Sequence, residues 1–406
     1  MPFNLALSGL NAASSDLEVT ANNIANVNSV GFKGSRAEFA DVFSLTGSGV
    51  SAIAIGNGVR LASVSQQFGQ GNIEFTNNNL DLAISGQGFF TTRDDSGLSY
   101  TRAGNFSVDR DGFVVNPSGK KLQVFPPSTG GNFDVSRIQD LRLSLPQSPP
   151  IASTQAALTL NVPSTATVPP TTPFDPNDPT SFNNATSFTV FDSLGAAHTA
   201  SVFYVKDALA NAWNVELQID GVSAGPAQPI TFDTSGGLAT PVNGLVAFPA
   251  MVVSPNAAPL TLALDMNNVT QTSDTFSVAA ISQDGAPTGR LTGVDIGADG
   301  VVSARFSNGQ SNALGQLAIT NFANPEGLQQ LGDTSWAETF ASGAALRGQA
   351  GSGSVGLVQS GALEASNVDL TAQLVNMIKA QRNFQANAQM ISTADRITQT
   401  VINIRN

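Results

Sequence analysis

Apolar residues recur every seven positions at both ends of the chain. Phe3, Leu10, Leu17 and Ile24 form one row, with Ala6, Ala13 and Val27 at the +3 offset and Thr20 as the polar exception there. Near the end, Leu363, Leu370, Met377, Phe384 and Ile391 form a second row, with Leu374, Ala388 and Ile402 at +4. This spacing marks the a/d seam of a coiled coil. It predicts a helix within residues 1–30, stopping in Asn26-Val27-Asn28-Ser29-Val30-Gly31, where Asn and Gly supply turn chemistry. It predicts a second helix within residues 362–406, with Ser366 as N-cap and Asp369 at N3. Residues 370–403 contain neither Gly nor Pro. At about 1.5 Å per residue they make a rod of about 50 Å.

Between the ends the period changes from seven to two. Residues 71–125 alternate short apolar runs with turn dipeptides such as Asp111-Gly112 and Ser118-Gly119, which are hairpin signals. The same style returns at 301–306 and 316–320. Residues 187–191, 199–206 and 214–220 read as further strands. The predicted fold is therefore multidomain and mainly β, with a terminal α-helical coiled coil built from both chain ends and two β-rich domains.

Charge divides the β region. Residues 143–289 hold one basic residue, Lys206, against ten acidic ones, so this stretch carries most of the net charge of −12. A proline-rich segment lies near its start, from Pro146 to Pro179. We read an acidic outer domain, 146–284, inserted into a β-rich middle domain formed by 71–145 and 285–349. Residues 31–70 and 350–361 read as extended connectors, and the terminal segments 1–30 and 362–406 as the helical core.

Composition narrows the function. Charged residues make up only 12%, against about 25% in ordinary globular proteins. The polar faces of the predicted helices are Asn, Gln, Ser and Thr, which suits a crowded environment with protein on several sides. The acidic balance argues against nucleic acid as a partner. No apolar run reaches the 18 or so residues a membrane helix needs, so membrane insertion is not expected. The start lacks a basic n-region, so a Sec-type signal peptide is not expected. The chain has no Cys and one His, His198, which excludes disulfides, thiolate metal sites and zinc sites needing two histidines.

Candidate chemistry is sparse. Gly351-Ser352-Gly353-Ser354-Val355-Gly356 fits a nucleotide-loop pattern by letter, but no strand leads into it and no helix opens on it, so it reads as a connector. Asp109-Arg110-Asp111-Gly112 begins like a calcium loop but lacks the third acid and closing Glu, and reads as a hairpin turn. His198 has no motif around it and reads as a hydrogen-bonded or exposed strand-end residue. Carboxylate pairs suited to glycoside hydrolysis depend on spatial separation and stay open, so a secreted β hydrolase remains a rival. No catalytic, metal or cofactor residue is assigned, and no enzyme activity is expected.

Three stretches resemble the bacterial flagellar rod and hook axial proteins. The first is Leu7-Ser8-Gly9-Leu10-Asn11-Ala12-Ala13 with Asn22-Asn23-Ile24-Ala25-Asn26 and Val30-Gly31-Phe32-Lys33. The second is Leu80-Asp81-Leu82-Ala83-Ile84-Ser85-Gly86-Gln87-Gly88-Phe89-Phe90. The third runs Gly361-Ala362-Leu363-Glu364-Ala365-Ser366-Asn367-Val368-Asp369-Leu370 and continues through Leu374-Val375-Asn376-Met377-Ile378 and Ala380-Gln381-Arg382-Asn383-Phe384. Gln373 and Phe384 stand where the resemblance leads us to expect Glu and Tyr. Length and the acidic insert favour the hook-forming members over distal rod or hook–filament junction members.

The resemblance implies a self-assembling curved tube that joins motor to filament as a universal joint, exported through the flagellar type III apparatus to an extracellular position. It implies a distal rod protein, a hook cap protein and a hook–filament junction protein as partners. Phe3, Leu10, Leu17, Ile24, Leu363, Leu370, Leu374, Met377, Phe384 and Ile391 are the expected polymer-core contacts. The family signature falls on Asn22, Asn23, Ile24, Ala25, Asn26, Gly31, Phe32, Lys33, Ser366, Asn367, Val368 and Asp369. Glycines in 47–58 and 351–356 are candidate hinges.

Overall fold

Two helices built from the chain ends pack antiparallel, and nearly everything between them is strand. The computed structural model describes residues 2–42, 56–128, 130–143, 147–353 and 355–404. The chain divides into two compact units, one of residues 1–144, 294–304 and 312–406, the other of residues 145–293 and 305–311.

Helix α1 spans Pro2–Ala25 and helix α2 spans Leu370–Ile404. Asn23 of α1 donates to Gln373 of α2, and Gly9 lies against Asn387, which fixes their antiparallel sense. In α1 the fully buried positions are Ala6, Ala13, Thr20 and Asn23. In α2 the covered positions are Gln373, Met377, Ala380, Phe384, Asn387, Ile391 and Ala394, with Ala388 half-buried beside Asn387. Their spacing alternates four and three, so the seam is a heptad seam. Its second row in α2 runs through Ala380, Asn387 and Ala394 at +3; of the row expected at +4, Ala388 is half-buried and Leu374 is exposed. The side chain of Ile402 lies outside the described residues. Small residues let the backbones approach closely. A Cβ added at Gly9 would stand 2.6 Å from Asn387 Oδ1.

Three expectations for the ends are corrected. Leu363 belongs to no helix. It lies in the strand Ala362–Glu364, paired with Ile73–Phe75, because Ala362 and Glu364 bury alternately in the period of a strand. The N-cap of α2 is Asp369. Its Oδ1 accepts from the amides of Thr371 and Ala372 at 2.8 and 3.2 Å, as a cap must. Ser366 accepts from the amide of Val368 instead. The connector read at 31–70 contains an antiparallel ribbon, Ser35–Asp41 with Val59–Gln66. Phe39, Leu61 and Val64 on it are exposed, so it lacks the alternation that announces a strand. Residues 43–55, which hold Gly47 and Gly49 of the first candidate hinge, lie outside the described residues, while its Gly58 adopts φ +107°.

The second connector is likewise structured. Gly351 N donates to Gly356 O, and Leu357–Ser360 pairs with Leu82–Ser85. Ser354 lies outside the described residues.

In the first unit, Phe89–Asp94 pairs with Gly97–Thr101 in a hairpin and with Lys121–Phe125. The strand Ile319–Asn321 pairs with the same strand at Phe90 and Phe89. Segments on either side of residues 145–293 thus share a sheet. Its core gathers Leu82, Ile84, Phe90, Leu122, Val124, Leu317 and Ile319. A neighbouring aromatic group holds Phe89, Tyr100, Phe322 and Trp336 in edge-on contacts, the arrangement ring quadrupoles favour. Asp109 Oδ1 accepts from Asp111 and Phe113 amides, closing a turn.

The second unit has its own core between two sheets. One holds Asn184–Phe191, Ala197–Lys206, Ala212–Ile219, Gln228–Phe232 and Leu238–Thr240 in that order. The other runs Leu245–Ala247, Ala263–Thr272, Gln155–Pro163, Ser277–Gln283, with its middle pair parallel. Ala156, Leu158, Leu160 and Val162 alternate inward and meet Val202, Tyr204, Trp213, Val215 and Leu217. Trp213 Nε1 donates to Gln271 Oε1 at 3.1 Å, pairing the one polar atom of a fully buried indole. The ingoing and outgoing strands are neighbours, with Ala156 opposite Gln283. Asp284 accepts from the amides of Thr154 and Gln155, and Ser153 donates to Gln283, which clasps the two ends together.

Replacing Asp369 with Ala is expected to cost the first turn of α2 about 0.5–2 kcal/mol, as loss of a side-chain cap does. Hydrogen exchange at the Thr371 and Ala372 amides should accelerate by about 2- to 30-fold, with exchange in mid-helix unchanged.

Candidate functional site: the junction of the terminal helices with the first β unit

The turn after α1 is built to enter a narrow space. Asn26 closes the helix end by donating from N and Nδ2 to Asn22 O. Gly31 adopts φ +67°, and a Cβ there would stand 2.4 Å from Ala103 N. Only glycine meets both conditions without strain. Phe32 and Lys33 then go inward and are buried.

Lys33 meets Glu364 in the interior. Lys33 Nζ lies 2.6 Å from Glu364 Oε1, and neither side chain is exposed. Lys33 also donates to Gly69 O at 2.8 Å. Arg102, from the first β unit, donates through Nη1 to Glu364 Oε2 at 3.1 Å and through Nη2 to Gly86 O at 2.9 Å. Its guanidinium stands 5.4 Å from the Phe89 ring centroid. Gly71 N donates to Glu364 Oε1, and Gly31 N to Glu364 O. One carboxylate thus accepts from two cations and an amide. Burial pulls the Lys33 ammonium below the usual lysine range, and Glu364 offsets part of that pull. The Arg102 guanidinium is lowered for the same reasons.

A ring of amides surrounds this centre. Asn23 Nδ2 donates to Ser35 O, and its Oδ1 accepts from Ser35 N. Asn367 Oδ1 accepts from Gly34 N, while its Nδ2 donates to Gln67 O and Gly69 O. Asn23, near the end of α1, thereby holds the first ribbon strand, and Asn367, just before α2, holds the residues that flank the ribbon. Val368 packs near Gly34.

The predicted residues therefore divide. Asn23, Gly31, Phe32, Lys33, Asn367 and Val368 come together at this junction, and Asp369 caps α2 beside it. Ser366 is half-buried there, whereas Asn22 and Ala25 face outward and Ile24 and Asn26 are half-buried. Leu10, Leu17, Met377, Phe384 and Ile391 lie half-buried along the helix pair, and Leu363 is half-buried in its strand. Phe3, Leu370 and Leu374 are 49%, 44% and 40% exposed. Sequence reasoning missed Glu364 and Arg102. Glu364 stood inside a quoted stretch, and an acid between Leu363 and Ala365 in a sparsely charged chain was the available signal. Nothing in the letters around Arg102 ties it to residue 364. Among the described residues no group of three or more His, Cys, Asp or Glu is arranged to hold a metal.

Replacing Glu364 with Gln leaves two buried cations without their counter-charge. It is expected to destabilise the first unit by about 3–5 kcal/mol, read as a lower urea midpoint. Lys33→Met, which keeps the Arg102–Glu364 pair, should cost less; equal losses would argue against Glu364 as the shared centre.

Comparisons with known proteins follow this layout along the chain. A family model described as flagellar basal body rod protein matches residues 3–33, and one for the C-terminal part of flagellar basal body rod FlgEFG proteins matches 359–404. The flagellar hook protein FlgE/F/G D1 domain matches 83–190, and the flagellar basal body protein FlaE D2 domain matches 161–286. The flagellar hook protein FlgE of Escherichia coli K12 is 40% identical over 414 residues, covering 100% of both chains. That of Borreliella burgdorferi is 32% identical, covering 98% of both. The crystal structure of Helicobacter pylori flagellar hook protein FlgE2 has a TM-score of 0.52 at 14% identity, covering 72% of this chain and 100% of its own, which is a likeness of fold. With end-to-end similarity at 40% identity and matched models at both termini and across the β region, the chain belongs to the flagellar hook protein family.

Proposed function

We propose that this chain is the structural subunit of a bacterial flagellar hook, an extracellular, non-enzymatic polymer of many copies. The observation that carries the reading is an uncovered apolar surface on the terminal helices. Phe3 and Leu7 on α1, and Leu370, Leu374, Val375, Ile378, Met390 and Ile397 on α2, are all at least 40% exposed in the single chain. Many large apolar side chains left exposed on one helix pair mark a protein contact. Each such side chain contributes about 1.5–3 kcal/mol when buried, so neighbouring copies of the same helices are the fitting cover. Phe3, Leu10, Leu17, Ile24, Leu370, Leu374, Met377, Phe384 and Ile391 are the proposed core contacts. Leu363, in its strand, acts with the junction instead.

In this reading the helices form the inner layer of a curved hollow tube. The β-rich middle domain, 71–145 with 285–349, forms the next layer, and the inserted acidic domain, 146–284, the outer one. The sparse charge of α1, which carries only Asp16 and Glu18, supports a lining that export cargo passes without being trapped. The acidic character of the insert supports weak, exchangeable outer contacts, because like charges and wet polar surfaces slide and re-form. Such a tube bends as a universal joint while its core transmits torque. Distal rod, hook cap and hook–filament junction proteins are the proposed neighbours.

Leu17→Asp or Phe384→Asp is expected to abolish tube assembly while the β units stay folded; normal hooks in electron micrographs of either strain would overturn the inner-layer role. Deleting residues 146–284 should leave tubes that assemble but are straight or mechanically altered. Antibody against 146–284 should decorate the short curved segment between basal body and filament, on its outside.

A further inference from the structure

The chain's single histidine sits between two carboxylates at one end of a sheet in the second unit. His198 Nδ1 lies 2.6 Å from Asp220 Oδ2, and Nε2 lies 3.4 Å from Asp192 Oδ2. A neutral imidazole donates from one nitrogen and turns a lone pair outward from the other. Only the imidazolium offers a proton to both carboxylates. The His198 ring and the Asp192 side chain are at most 8% exposed, so an unprotonated ring nitrogen facing Asp192 would set a lone pair against a buried anion.

Three strands are tied by this contact. Asp192 follows Asn184–Phe191 and closes the next turn, its Oδ1 accepting from Leu194 and Ala196 amides at 2.9 and 2.8 Å. His198 is the second residue of Ala197–Lys206, opposite Val190. Asp220 follows Ala212–Ile219 in a left-handed turn with φ 52°, and its Oδ1 accepts from Thr199 N at 2.8 Å. The paired ladder between the second and third strands ends at Ala200 and Ile219, so His198 and Asp220 join them beyond its end. Asp192 and Asp220 are the charged groups facing the ring among the described residues.

We propose that His198 is a protonated brace, held between Asp192 and Asp220, that makes the stability of the second unit depend on the pH of the medium outside the cell. Burial alone would lower the ring's proton affinity, but the two carboxylates outweigh it and the net shift is upward. A group whose folded pKa is raised contributes fully below its unfolded value, about 6.5 for histidine. Its contribution is lost as pH rises through the folded value. Asp220 is lowered, chiefly by its hydrogen bond to His198. Burial raises Asp192, but the Ala196 and Leu194 amides and His198 outweigh it, for a net lowering. Both carboxylates therefore titrate in acid, well below the range in which the ring loses its proton.

The full-length chain gives one histidine ring signal, so its titration by two-dimensional NMR is unambiguous. The midpoint is expected above that of free histidine in the same buffer, and lower again in Asp220→Asn. The urea midpoint of the second unit, followed at Trp213 in a Trp336→Phe background, should fall between pH 6 and pH 9. In His198→Gln that fall should flatten. A ring midpoint at or below free histidine, or the same fall with pH in His198→Gln, overturns the proposal.

Discussion

Glu364 holds together segments that are far apart in the chain. Its carboxylate takes Lys33 from the N-terminal turn, Arg102 from the first β unit and the amide of Gly71, while its own carbonyl takes the amide of Gly31. An unpaired ion in such a place would cost several kcal/mol, of order 3–5 when one partner of a buried pair is removed. The geometry therefore permits few alternatives. With these four groups fixed, the turn after α1, the start of α2 and the ribbon between them have their relative positions set. A hydrophobic contact could supply similar stability, but it would not prescribe direction. Charge and hydrogen bonding do, and that is what a joint between two helices and a sheet requires.

The helix pair shows the opposite strategy. Its seam is made of Ala6, Ala13, Thr20, Ala380 and Asn387, which are small or polar, with larger side chains only half covered beside them. Such a seam allows close approach while leaving the larger apolar side chains partly uncovered. The charged junction and the small-residue seam are complementary. The first sets where the helices point, and the second leaves their apolar residues available to other copies.

Much of this was legible in the letters. The sevenfold rows announced both helices, and the shift to alternation with turn dipeptides announced the strands. The charge break near residue 145 lies close to where the second unit begins. Other features were hidden for physical reasons. Leu363 continued the heptad row by coincidence, while the burial of Ala362 and Glu364 followed the period of a strand. The ribbon of Ser35–Asp41 and Val59–Gln66 exposes Phe39, Leu61 and Val64, so its pattern resembles neither a half-buried strand nor a loop. The +3 row of α2 contains Ala380, Asn387 and Ala394, which periodicity arguments pass over because they are small or polar. The partnership of Arg102 with Glu364 depends on a separation of 262 residues, which no local pattern encodes.

The clasp at the base of the second unit has a mechanical consequence. Its ingoing and outgoing strands run antiparallel side by side, and both leave from the same end, where Ala156 faces Gln283 and Asp284 accepts from Thr154 and Gln155. Tension applied between Gln155 and Gln283 would open the ladder one bond at a time, like a zipper, with the Asp284 clasp loaded first. A ladder pulled along its length shares the load among all its bonds, whereas one opened from its end does not. The sheet is thus sturdy within itself and easily opened from that one end under a pull.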